Sequence, residues 1–177
     1  MPNNNDVFSI TLRAPTGQTI TVDWGDGLSS TANLISGHTY SVGHTTYTIT
    51  VKNEIQSITF QSASIGMITS IITPFPMLSS LPSLEGANNL LAVPENLFVN
   101  NPLITSIDRM FAYCSSLLNA PDISYLTSLQ SAQLAFGNCS SMLVVPDIDG
   151  LNYLTSLDNT FAGCSALTDA PKISNCN

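Results

Sequence analysis

Charge is what this sequence has least of. Asp, Glu, Lys and Arg make up 9% of its 177 residues, against about 25% in ordinary soluble domains. Positive charge is rarer still: Arg13, Lys52, Arg109 and Lys172 face 12 acidic residues, for a net charge of −8. Nucleic acid is held by clustered cations that displace counterions from phosphates, so no nucleic-acid partner is expected. The same deficit removes a polybasic hold on anionic lipid. No apolar run reaches the ~18 uninterrupted residues of a membrane span. The most apolar window, residues 65–78, is broken by Ser, Thr and two prolines, so no membrane insertion is expected. Residues 1–6 show no cationic stretch leading into an apolar one, and no secretory signal is read there.

Cysteine is also sparse, with four in the chain and no C-x-x-C pair. No histidine stands near them in the pattern of a zinc site. What is present is a 44% hydrophobic share, enough for a core, on a polar surface built from Ser, Thr and Asn.

The composition shifts near residue 53. Before it, Phe8 to Leu12 and Thr19 to Trp24 alternate apolar and polar residues, the period of half-buried strands. Gly25-Asp26-Gly27 is a turn signal, because glycine accepts positive φ and aspartate bonds its own backbone. A third alternating run, Thr46 to Val51, closes the segment. Residues 1–53 are therefore expected to hold three to five antiparallel strands in a sandwich-like sheet. Val22-Asp23-Trp24-Gly25-Asp26-Gly27, His38-Thr39-Tyr40 and Tyr47-Thr48-Ile49-Thr50-Val51 resemble the PKD-like (polycystic-kidney-disease) branch of the immunoglobulin-like superfamily. The resemblance implies an immunoglobulin-like β-domain. This segment is about half the length of a full one, roughly 100 residues, so either several strands are missing or its core finishes against the chain that follows.

Residues 54–177 are read as a second unit. Within it, 54–86 contain short β-branched stretches and several prolines, and are expected to form degenerate or capping coils. From 87 onward a repeat takes over. Phe111, Cys114, Pro121 and Ile123 return as Phe136, Cys139, Pro146 and Ile148, then as Phe161, Cys164, Pro171 and Ile173, always 25 residues apart. An earlier copy has Ala87 in place of cysteine, 27 residues before Cys114. A unit of this length has one apolar face that it cannot bury alone, and stacking neighbours converts each position into a ladder. Asp108 to Cys114 reads as one or two helical turns. Leu117 to Ala120 reads as a short strand, stopped by Pro121, which has no N–H to donate.

The unit F-x-x-C-S-x-L-x-x-x-P-x-I resembles the BspA-like leucine-rich repeats and the related mycoplasma-lipoprotein-type repeats of bacterial surface proteins. The resemblance implies a mainly β chain: a PKD-like domain followed by a leucine-rich-repeat solenoid of short strands and one-to-two-turn helices. It also implies adhesion, with a protein or glycan on a host or neighbouring surface as partner. No C-terminal cap is visible, so self-association, an assembly partner at the last coil, or truncation is expected.

Four constellations bear on chemistry. Cys114, Cys139 and Cys164 share one phase and are expected as buried free thiols, together with the Phe111, Phe136, Phe161 and Pro121, Pro146, Pro171 ladders. Cys176 lies outside that phase, and a bridge to Cys164 is the alternative for this pair. His38 and His44 straddle one turn, and Asp23 and Asp26 flank another. Turn-forming roles are expected for them, against a catalytic His–carboxylate reading and a calcium reading that adds Asp6. Tyr113, Tyr125 and Tyr153, with Asp122, Asp147 and Asp149 after the prolines, are the candidates for ligand contact; a solvated rim is the alternative. Nothing positions a catalytic pair of carboxylates, so neither an enzyme nor a cofactor is expected. The functional expectation is a non-catalytic binding or adhesion module, extracellular or on a cell surface. The alternative is a structural component of a phage virion, such as a fibre or a capsid decoration protein, with a host-adhesion or assembly role.

Overall fold

The computed structural model describes residues 7–40 and 46–169. The chain is mainly β, with two three-stranded antiparallel sheets in its N-terminal part. In the first, β1 (Val7–Arg13) lies between β4 (Leu34–Thr39) and β6 (Ser57–Phe60); in the second, β2 (Ile20–Asp23) lies between β3 (Ser29–Ala32) and β5 (Thr50–Lys52). The alternation read in the sequence sets which strands are central. Phe8, Ile10 and Leu12 of β1 are buried, as are Ile20 and Val22 of β2, and all join one core with Trp24, Ile35 and Tyr40. The intervening residues point outward, as the period of two requires.

The strand pairing runs beyond residue 53, where a boundary was expected. β6 pairs with β1 over Ile10 to Arg13, so this part of residues 54–86 completes a sheet rather than a coil. Immediately after it comes α1 (Ser62–Ile65), the one helix among the described residues. Its Ser64 hydroxyl accepts from Ser9 N–H at 2.7 Å and donates to the Val7 carbonyl at 3.3 Å, fastening the helix to β1. Residues 69–78 run alongside the next unit instead, through Ile71 N–H to the Ala92 carbonyl and Phe75 N–H to the Leu97 carbonyl.

The β1–β4 pair changes register between Phe8 and Thr11, where Ser9 and Ile10 face the single residue Gly37. This is a bulge. Gly37 has φ +80°, and a Cβ there would lie 2.8 Å from the Phe8 carbonyl oxygen.

From residue 84 on, successive units lie side by side, residues 84–95 at an offset of 27 from the next unit and later units at an offset of 25. Parallel bridges join Ser106 to Ser131, Ser131 to Ser156, and Asn119 to Val144. The segment expected as a strand, Leu117 to Ala120, is thus reduced to one bridge. The segment expected as helical turns differs more. Met110, Ala112 and Cys114 donate to carbonyls three residues back, as in a tight turn. The amides between them, Arg109, Phe111 and Tyr113, donate instead to Gln133, Ala135 and Gly137 of the next unit. A helix would need every amide for itself. Two residues per unit adopt positive φ to make this possible: Arg109 and Tyr113, then Leu134 and Asn138, then Asn159 and Gly163.

The apolar ladders fill the interior. The rings of Phe111 and Phe136 stack at 5.3 Å, and those of Phe136 and Phe161 at 5.7 Å, within 5° of parallel. In the longer copy upstream Leu84 takes the phenylalanine place: its carbonyl receives the Cys114 thiol as Phe111 receives that of Cys139. Pro121 and Pro146 are buried; Pro171 and Cys176 lie outside the described residues.

Candidate functional site

The three thiols are free and buried. Each Sγ donates to the carbonyl at the phenylalanine position of the unit before: Cys114 to Leu84 (3.2 Å), Cys139 to Phe111 (3.1 Å) and Cys164 to Phe136 (3.0 Å). Those carbonyls also accept an amide of their own turn, so the thiol uses a second lone pair where an alanine at the same place would leave it empty. Burial pushes the Cys114 thiol up to about 12 and raises Cys139 and Cys164 as well. The thiolate is the reactive species. In the folded protein Cys114 and Cys139 are therefore expected to resist iodoacetamide at neutral pH and to alkylate only after denaturation. Mass spectrometry of the labelled peptides checks this, and equal labelling before and after unfolding would contradict the ladder.

A second cluster sits where Gly25-Asp26-Gly27 meets β4. His38 Nε2 donates to Asp26 Oδ2 at 2.7 Å. The imidazole stacks on Trp24 at 4.8 Å and meets Tyr40 edge-on at 4.7 Å, while Tyr40 stacks on Tyr47 at 4.2 Å. The Tyr40 hydroxyl donates to the Trp24 carbonyl, and Trp24 Nε1 donates to the Ser30 hydroxyl. Burial, then the Asp26 charge, pushes the Tyr40 hydroxyl up to about 12. The other Asp26 oxygen caps Leu28 N–H, and Asp23 caps Gly25 N–H. These carboxylates shape the turn, as expected. No group of three metal-binding side chains occurs among the described residues; Asp6 and His44 lie outside them.

The hydrogen bond from His38 holds the Asp26 carboxyl below its ordinary 3.8. A carboxyl depressed in the folded state contributes stability above its unfolded pKa, and that contribution is lost as pH falls through the folded value. Thermal melts should show Asp26→Asn losing its disadvantage against the native protein as pH drops below about 4. A constant difference at every pH would assign the aspartate a role unrelated to its charge.

The tyrosines expected to contact ligand fall on three different phases of the repeat. Tyr113 matches Asn138 and Gly163 at the positive-φ corner and is exposed. Tyr153 is exposed at the place of Leu103 and Ser128. Tyr125 is partly buried and packs on the core. They build no continuous aromatic strip. Asp122 and Asp147 do share a phase, and each caps the amide two residues on, that of Ser124 and of Asp149. The Asp122 amide donates to the Glu95 carbonyl at 2.9 Å, so Glu95 heads the same acidic column.

Sequence reasoning missed a column of leucines beside it. Leu91, Leu118 and Leu143 are all exposed. Leu118 N–H donates to the Leu91 carbonyl and Leu143 N–H to that of Leu118. The signal was available: Leu117 and Met142 already occupy the buried position of their units, and a residue directly after a buried one on extended chain faces outward.

No family model matches the chain, and neither does any curated protein or solved structure.

Proposed function

We propose that this chain is a non-catalytic binding or adhesion module of a cell surface, presenting the regular face of its repeated units to a protein or glycan. In this reading residues 7–60 are an immunoglobulin-like, PKD-like domain. The units from residue 84 onward are coils of a leucine-rich-repeat solenoid of the BspA-like kind. The carrying observation is the register itself: the Phe111, Phe136 and Phe161 rings stack, and parallel bridges tie Ser106, Ser131 and Ser156 together. Repetition of that order displays each outward position several times along one surface, which is how repeat proteins build extended contact areas. The use of polar side chains supports the non-catalytic part. Asp23, Asp26, Asp122 and Asp147 each cap an amide two residues ahead, a task of backbone geometry rather than of proton transfer.

Arrays of glycans and of cell-surface proteins, probed with the purified chain, test the reading. Saturable binding to members of one class at micromolar concentration is the expected result. Uniform failure on both arrays overturns it.

A further inference from the structure

Single leucines on a surface are ordinary, but three in backbone register are not. Leu91, Leu118 and Leu143 are 53%, 44% and 48% exposed and are joined by amide–carbonyl bonds from each to the one before. Four residues after each stands a carboxylate: Glu95, Asp122 and Asp147. The ion pairs among the described residues are His38–Asp26 and Arg109–Glu85, so no described residue supplies a cation to these three carboxylates. Arg109 is also the one basic residue between positions 53 and 169. Over the described residues the face is therefore apolar along one line and carries carboxylates along another; Lys172, 25 residues after Asp147, lies outside the described residues.

We propose that these two columns dock a basic amphipathic helix of a partner protein, its apolar stripe on the leucines and its Lys and Arg flank on the carboxylates. The inference rests on reading the chain as a binding module and names the partner class. The spacing selects a helix. Backbone-bonded neighbours lie about 4.8 Å apart. A helix returns to the same face about every 5.4 Å, an extended strand about every 6.6 Å. Across three leucines the mismatch grows to about 1 Å for the helix and nearly 4 Å for the strand. A glycan without amines brings no cation to the acidic column. Among its described residues a second copy of this chain does not supply the helix either, since α1 has four residues, none of them basic.

The test uses the full chain and two labelled Leu/Lys peptides of identical composition, one patterned with helical periodicity and one alternating with period two. In fluorescence anisotropy the helical pattern is expected to bind at least about tenfold more tightly. Leu118→Ser with Leu143→Ser should weaken it by about tenfold. Asp122→Asn with Asp147→Asn should weaken it by about fivefold at low salt and flatten its salt dependence. Asparagine keeps the oxygen that caps each turn, and all four side chains are exposed or half-exposed, so folding is retained and is checked by circular dichroism. Equal binding of the two peptides, or unchanged binding by either variant, overturns the proposal. A glycan hit on the arrays with no peptide binding leaves the binding-module reading intact and removes this partner. Peptide binding through the columns with empty arrays keeps this partner and removes the broader claim of surface adhesion.

Discussion

Phe136→Ala is expected to destabilise the protein by about 3–5 kcal/mol, the range for deleting a buried aromatic. Phe136 is fully buried, with the Phe111 ring on one side and the Phe161 ring on the other. Its removal takes away two ring contacts, each worth about 0.5–1.5 kcal/mol beyond the area buried, and opens a void between units whose backbones are fixed by bonds to one another. Collapse is hindered because Phe136 N–H is tied to the Thr160 carbonyl and its own carbonyl receives the Cys164 thiol. Phe161 offers the internal comparison. It stacks on Phe136 and is only partly buried among the described residues, so Phe161→Ala should cost distinctly less. Urea denaturation followed by circular dichroism measures both. Equal costs would mean that ring stacking does not hold the units in register.

Gly25→Ala should be nearly as damaging, and its neighbour Gly27 shows why. Both glycines have positive φ, +79° and +89°, a conformation that costs an L-residue about 1–2 kcal/mol. At Gly27 nothing lies within 4 Å of an added Cβ, whereas at Gly25 the Cβ would stand 2.7 Å from the Thr48 carbonyl oxygen and 3.1 Å from the Thr48 amide nitrogen. Backbone atoms cannot rotate away as a side chain does, so an overpacking cost of about 1–3 kcal/mol adds to the conformational one. Gly25→Ala is expected to lose about 2–5 kcal/mol and Gly27→Ala about 1–2 kcal/mol. Trp24, the single tryptophan, lies next to Gly25 and reports unfolding of this region by fluorescence. Identical midpoints for the two variants would refute the close approach of residue 48.

The parts of this fold that are legible in the sequence are those in which side-chain period and burial agree. β1 and β2 alternate cleanly because each is central in its sheet and buries one face. β3 was invisible for the opposite reason. Ser29 to Ala32 form an edge strand with no apolar alternation, held to β2 by backbone pairing and by a hydroxyl contact between Thr21 and Thr31. β4 was obscured by Gly37, which marks a bulge rather than a strand end. The helical turns expected around Phe111 were suggested by a true regularity. Ile107, Met110, Phe111 and Cys114 are buried at intervals of three and four, the signature of a helix face. Tight turns whose alternate amides bond the next unit produce the same spacing, and apolar period alone does not separate the two. Among the candidate binding residues, Asp122 and Asp147 share a column as the repeat requires, whereas the tyrosines stand out for their chemistry and not for their phase.

The amides of Arg109, Phe111 and Tyr113 all reach forward to the following unit, and those of Leu134, Phe136 and Asn138 do the same. Other amides reach back: those of Leu118, Asp122, Ser128 and Gln130 donate to the preceding unit, so each rim of a unit carries both donors and acceptors. An extra unit copied in the same orientation would meet a complementary rim on each side. Tandem duplication of one unit's coding segment is thus expected to be a conservative change, because the copy brings the same set of donors and acceptors.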